Sequence, residues 1–128
     1  MFAEKIAEHL GFAVEDVSGL TIERLAKLRR VVFSVSTYGR GLPPPSAMGF
    51  WDALKETHEL QTDQPVQFAV LGCGSSSFSA TFAGFAKNIR EKMTEIGCRE
   101  VAAMCTRDEM EDEDDEKVEQ WISQLKFM

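Results

Sequence analysis

At 128 residues, with 44% hydrophobic and 27% charged residues, the chain has the composition of one globular domain over residues 1–128, long enough for a single core. No apolar run reaches the roughly 18 residues of a membrane span, and the start MFAEKIAEHL lacks the basic-then-apolar order of a secretory signal. The net charge of −7 argues against nucleic acid as a partner, because phosphates are repelled by such a balance.

In chain order, Ala3, Ile6, Ala7 and Leu10 recur at helical spacing, and Gly11 ends the pattern as a C-cap does. Phe12 to Val17 reads as a strand. Thr21 is placed to cap a short helix through Leu28, with Ile22 and Leu25 on one face. Val31 to Ser36 is nearly continuous in apolar character, which fits a strand covered on both faces. Pro43, Pro44 and Pro45 hold off the next helix until Ser46, a suitable N-cap. That helix is expected to reach about His58 and to bury Met48 or Phe50, Trp51 and Leu54.

Val66 to Leu71 is a second buried strand that ends in a turn at Gly72 and Gly74. A helix over about 80–96 turns Phe82, Phe85, Ala86, Ile89 and Met93 inward, and Gly97 ends it. Val101 to Met104 is the last strand. Residues 113–125 close the chain as a helix with Val118, Trp121, Ile122 and Leu125 packed inward. Alternation of this kind predicts a doubly wound α/β fold, a parallel sheet of four strands with helices on both faces and right-handed crossovers.

The three cysteines, Cys73, Cys98 and Cys105, are odd in number and lack metal-like or C-x-x-C spacing, so they read as reduced thiols of a cytoplasmic protein. His9 and His58 are isolated on helices and read as surface residues. No serine–histidine pair points to acid–base chemistry. The acidic charge is concentrated between Arg107 and Glu119, where nine carboxylates face Arg107 and Lys117. Such runs are ordinarily solvated faces; the sharper reading is a docking surface for the basic face of a redox partner.

Two loops carry the chemistry. Ser36-Thr37-Tyr38-Gly39-Arg40-Gly41 follows one buried strand, and Gly72-Cys73-Gly74-Ser75-Ser76-Ser77-Phe78 follows the other. Open α/β sheets bind ligands at the carboxyl ends of their strands. Small residues let the backbone approach a ligand there, and Tyr38 and Phe78 are placed to close on a flat ring from two sides. Singly, Tyr38 reads as a strand end and Phe78 as a core residue. On adjacent strand ends they point to a ligand site.

These segments resemble the flavodoxin-like FMN domain of the diflavin reductases. Ser36 to Pro44 match the pattern [SA]-T-Y-G-x-G-x-x-P, Phe68 to Phe78 match F-A-V-x-G-L-G-[DN]-x-x-Y, and Asp108 to Trp121 match an acidic stretch leading into a helix with a tryptophan. The resemblance covers the whole chain in order. It implies a flavodoxin-like three-layer α-β-α sandwich and FMN as cofactor. The ring would be lined by backbone at Ser36, Thr37, Tyr38 and Gly39 and at Gly72, Cys73, Gly74 and Ser75. Tyr38 and Phe78 would stack on it, with Asp108 beside it and no metal. The implied function is electron transfer from an NADPH/FAD reductase partner or domain to an acceptor protein.

The departures are Arg40 in place of an acidic residue, Ser75 in place of Asp or Asn, and Phe78 in place of tyrosine. Ala3-Glu4-Lys5-Ile6-Ala7 matches the segment that follows the family's phosphate loop, with Met1 and Phe2 before it, so the first strand and that loop are expected to be absent. Absence of the loop would weaken FMN binding, and the alternative reading is a flavodoxin-like descendant that has lost FMN and serves as a protein-interaction or structural module. Without that strand, either 12–17 pairs with 31–36 or a sheet edge stays open and favours a homodimer.

Overall fold

A computed structural model describes residues 2–36, 45–60, 62, 64–74, 84–108 and 114–127, without the side chains of Phe2, Ser36 and Asp114. Four strands form one parallel sheet: β1 (Arg30–Ser36), β2 (Gln67–Gly74), β3 (Arg99–Glu100) and β4 (Cys105–Asp108). Five helices accompany them: α1 (Phe2–Leu10), α2 (Ile22–Lys27), α3 (Met48–Lys55), α4 (Gly84–Glu95) and α5 (Asp114–Gln124).

β2 is the central strand. β1 pairs one side of it from Gln67 to Cys73, and β3 and β4 pair the other side in succession. Its residues Phe68, Ala69, Val70 and Leu71 are wholly buried, as expected of a parallel strand covered on both faces. Period-2 alternation splits the core in two. Phe33, Phe68 and Val70 pack with Leu25 of α2, Phe50 and Leu54 of α3, and Phe85, Ile89 and Met93 of α4. Ala69, Leu71 and Cys105 pack on the opposite face with Ile6 of α1 and Val118, Ile122 and Leu125. The result is three layers, with α2, α3 and α4 on one side of the sheet and α1 and α5 on the other.

Local signals explain most boundaries. Gly11 and Gly97 follow α1 and α4 with φ of 72° and 95°, the left-handed values that end helices at low steric cost in glycine. Thr21 Oγ1 accepts from the Arg24 amide at 3.1 Å, capping α2.

Four expectations need correction. Residues 12–17 form no strand: Phe12 packs its ring against Phe127 at 5.4 Å, Val14 is 54% exposed, and Asp16 caps a 3-10 turn at Val17–Gly19 through the Ser18 amide. The last strand is not 101–104. Between the pairs Phe68↔Glu100 and Leu71↔Cys105, β2 advances three residues and its neighbour five, so the ladder is interrupted between β3 and β4. Ser46 does not cap α3; it lies in a 3-10 turn, Pro45–Ala47, that runs into the helix with Ala47 at the N-cap position. That helix stops at Lys55 rather than His58 and buries Phe50 while Met48 stays 47% exposed. Among the described residues four strands are present, the number predicted, but with a different membership.

Candidate functional site

The parallel register brings the ends of three strands into line. Ser36 of β1 is opposite Cys73 of β2, Cys73 is opposite Arg107 of β4, and Gly74 is opposite Asp108. Among the expected site residues, Ser36, Gly72, Cys73, Gly74 and Asp108 therefore meet at the carboxyl edge of the sheet. Thr37, Tyr38, Gly39, Ser75 and Phe78 lie outside the described residues, as does Arg40.

Each strand reaches this edge for a local reason. The apolar run of β2 is held in place by the two cores, and its last three residues, Gly-Cys-Gly, continue the ladder. Gly72 and Gly74 are buried, while Cys73 is half-buried. The segment before β4 is held by the Val101 amide, which donates to the Phe68 carbonyl at 2.9 Å, and by Trp121, whose Nε1 donates to the Ala103 carbonyl at 2.9 Å. Asp108 is the buried charged residue among those described, 8% exposed.

Alternation along the strands assigns sides to the edge. Cys73 and Arg107 share the α1/α5 side, and Gly74 and Asp108 share the other. Arg107 is absent from the sequence candidates, where it reads as a counter-charge to the acidic run. Its half-buried guanidinium donates from Nε to Asp115 Oδ1 at 2.7 Å. Its adjacency to Asp108, at the end of a strand, is the signal that could have found it. The edge thus combines small residues, buried backbone, one carboxylate and one tethered cation. That chemistry suits a flat, hydrogen-bonding ring better than a hydrolytic substrate, and no grouping of metal-ligating side chains occurs among the described residues.

The acidic run is partly internal. Asp108 belongs to the sheet edge, Asp115 is held by Arg107, and Glu119 is held by Lys5 at 2.7 Å. Asp115, Glu116 and Glu119 remain exposed on α5. The Lys5 ammonium is stabilised in its charged form, first by this hydrogen bond to Glu119 and then by the same carboxylate's charge. None of the three cysteines is in a disulfide, and no described helix is long and apolar enough to cross a membrane.

Comparison with known proteins gives a consistent result. The family model described as Flavodoxin matches residues 1–121. NADPH-dependent diflavin oxidoreductase 1 of Mus musculus is 28% identical over 122 residues, covering 91% of this chain and 20% of its own length. The chain thus spans about a fifth of the length of that relative. Protein MioC of Escherichia coli O157:H7 is 28% identical over 136 residues, covering 97% of this chain and 90% of its own length. Among solved structures, a cysteine-to-alanine mutant of flavodoxin from Pseudomonas aeruginosa superposes with a TM-score of 0.74 at 25% identity, over 94% of this chain and 86% of that one.

Proposed function

Because the chain belongs to the flavodoxin family, we propose that it binds FMN at the carboxyl edge of its sheet and carries electrons between proteins. The observation that carries this reading is the in-register meeting of Ser36, Cys73, Gly74 and Asp108 at the ends of three adjacent strands. The donor set fits the ring of the cofactor. Backbone amides and carbonyls at Ser36 and Gly72 to Gly74 would hold its polar rim, and the sheet residues beneath keep water away. The expected ring contacts Thr37, Tyr38, Gly39, Ser75 and Phe78 belong to the same proposal. Bound there, FMN would supply exchange between two-electron and one-electron carriers.

The chain's own contribution is placement and electrostatics. Asp108 puts a carboxylate beside the ring, which opposes gain of negative charge there, and Arg107 is kept in position by Asp115. The electron donor in this proposal is an NADPH/FAD reductase partner or domain, and the acceptor is a protein with a basic face that meets the exposed carboxylates of α5. The expected pairing of two copies belongs to the same proposal, and sedimentation velocity tests it.

Titration with FMN and, in parallel, riboflavin tests the reading by flavin fluorescence and the visible spectrum. Strong quenching by the chain at submicromolar FMN supports it. Equal and weaker binding of the two flavins supports a ring pocket without a phosphate site, and absence of binding overturns the carrier reading for this chain.

A further inference from the structure

The ion pair between Arg107 and Asp115 has one member largely inside the molecule and one at its surface. Arg107 Nε donates to Asp115 Oδ1 at 2.7 Å. The arginine side chain is 23% exposed and the aspartate 55%. Arg107 is the register partner of Cys73, whose neighbour on the other side is Ser36. At about 4.8 Å between strands, its backbone lies about 5 Å from Cys73 and about 10 Å from Ser36. Asp115 is the second residue of α5, the helix whose exposed carboxylates form the proposed docking face. One contact therefore joins that face to the strand ends.

Another charge pair of the same helix lacks this link. Lys5 and Glu119 are 51% and 56% exposed, and Glu119 lies four residues beyond Asp115, about 6 Å further along α5. Water screens both of its members. A half-buried guanidinium is screened less, and at 0.1 M salt the Debye length is about 10 Å, the distance from Arg107 to Ser36. While Asp115 is bonded to Arg107, the two charges oppose and largely cancel at the strand ends. More than half exposed, Asp115 is the member that a cation from outside reaches.

Resting on the FMN-carrier reading, we propose that this pair couples docking on α5 to the redox state of the flavin. A basic group of the partner takes Asp115, and Arg107 then acts on the strand ends with its charge no longer offset. Two electrons and one proton taken up by the ring leave it one negative charge richer, so the relieved Arg107 favours the reduced form. The electrons come from the NADPH/FAD reductase and leave to the acceptor, as in that reading. Coupling between two sites is reciprocal. The reduced protein therefore holds a basic partner more tightly than the oxidised one, and lets it go once the electrons have passed. Asp108 supplies a fixed negative charge at the same edge; the pair supplies the part that docking changes.

The test uses the full chain, with a peptide of ten lysines as the basic probe, at about 0.01 M salt, where the Debye length is about 30 Å. Dissociation constants are measured for oxidised FMN and, anaerobically with dithionite, for reduced FMN. The phosphate is common to both forms, so its own attraction to the peptide cancels in their ratio. In the unaltered chain the peptide is expected to raise the preference for reduced FMN by about threefold. Asp115→Asn keeps the side chain's shape and removes its charge, so it should raise the preference by a similar factor without peptide and leave the peptide little further effect. Arg107→Gln should lower the preference and also make it insensitive to peptide. Glu116→Gln removes an equal charge from the same turn of α5 while leaving the pair intact, and should move the ratio less than half as far as Asp115→Asn.

A second readout needs no flavin. The Arg107 Nε proton is followed by NMR in the flavin-free chain, where the lysine peptide should speed its exchange with solvent by at least about threefold as Asp115 is taken from it. Unchanged exchange overturns the proposal. So does a ratio that the peptide leaves unmoved in the unaltered chain, or one that it shifts equally in Asp115→Asn. An equal shift by Glu116→Gln would assign the effect to the field of the whole helix and overturns it too. These outcomes leave the carrier reading standing, whereas failure of the unaltered chain to bind either form of FMN overturns both.

Discussion

At neutral pH the Cys98 thiol holds its proton firmly, because burial pushes its pKa up to about 11, against a smaller opposing effect of a backbone hydrogen bond at Val66. The ordinary thiol value is 9.0, so the folded state keeps a proton that the unfolded chain releases earlier. The resulting stabilisation is complete below pH 9 and is lost as pH rises from about 9 towards 11. Two pKa units correspond to at most about 3 kcal/mol. Urea denaturation between pH 8 and 11 should therefore show a falling stability limb that Cys98→Ala flattens, whatever the variant's lower overall stability. An unchanged slope in the variant would remove Cys98 as its cause. Gly74 makes a different prediction at the same scale. It is buried at the end of β2 opposite Asp108, so Gly74→Val should place two methyl groups where the backbone would meet the flavin. FMN affinity is expected to fall by at least about tenfold with far-UV circular dichroism unchanged. Retained affinity would move the ring away from this strand end.

Among the elements, the segment between β3 and β4 is held by the Val101 amide, which donates to the Phe68 carbonyl at 2.9 Å, and by one side chain of α5. Trp121 of α5 is half-buried and donates to the Ala103 carbonyl at 2.9 Å. Trp121→Phe keeps an aromatic ring and removes the donor, so stability should drop by about 1 kcal/mol. Because Asp108 follows this segment, flavin affinity should fall as well, and both are read from one denaturation series with and without FMN. A loss of stability with unaltered affinity would uncouple the segment from the site. The same segment shows where sequence reading stops. β1 and β2 were legible because a continuous apolar run needs cover on two faces, and α4 because Phe85, Ala86, Ile89 and Met93 keep helical period. Residues 101–104 are as apolar, but the ladder is set by register with β2, which has no local code. Residues 12–17 failed for a related reason. Phe12 found an aromatic partner at the far end of the chain, in Phe127, and Asp16 found an amide two residues on. The convergence of Ser36, Gly72, Cys73, Gly74 and Asp108 was legible through motif order, whereas Arg107 was hidden among the acids that surround it in sequence.

For the molecule as a whole, the net charge of −7 sets the approach of partners. The described part of the acidic run is less negative than its composition suggests, since Arg107 and Lys5 each hold one of its carboxylates. Lys5→Ala releases Glu119 from its partner and moves the net charge from −7 to about −8. If α5 is the docking face, association with a basic redox protein should become faster in this variant, by about twofold at low salt. Glu116→Lys, at an exposed position on the same helix, should slow it. Stopped-flow association at ionic strengths from about 0.01 to 1 M measures both, as the Debye length contracts from about 30 to 3 Å. The three proteins should converge at the high-salt end, because steering acts through the long-range field and leaves close contacts unchanged. Rates that are equal at low salt would show that partners approach elsewhere. Differences that persist at high salt would show that Lys5 or Glu116 makes a direct contact, and electrostatic docking through α5 would then be the wrong description.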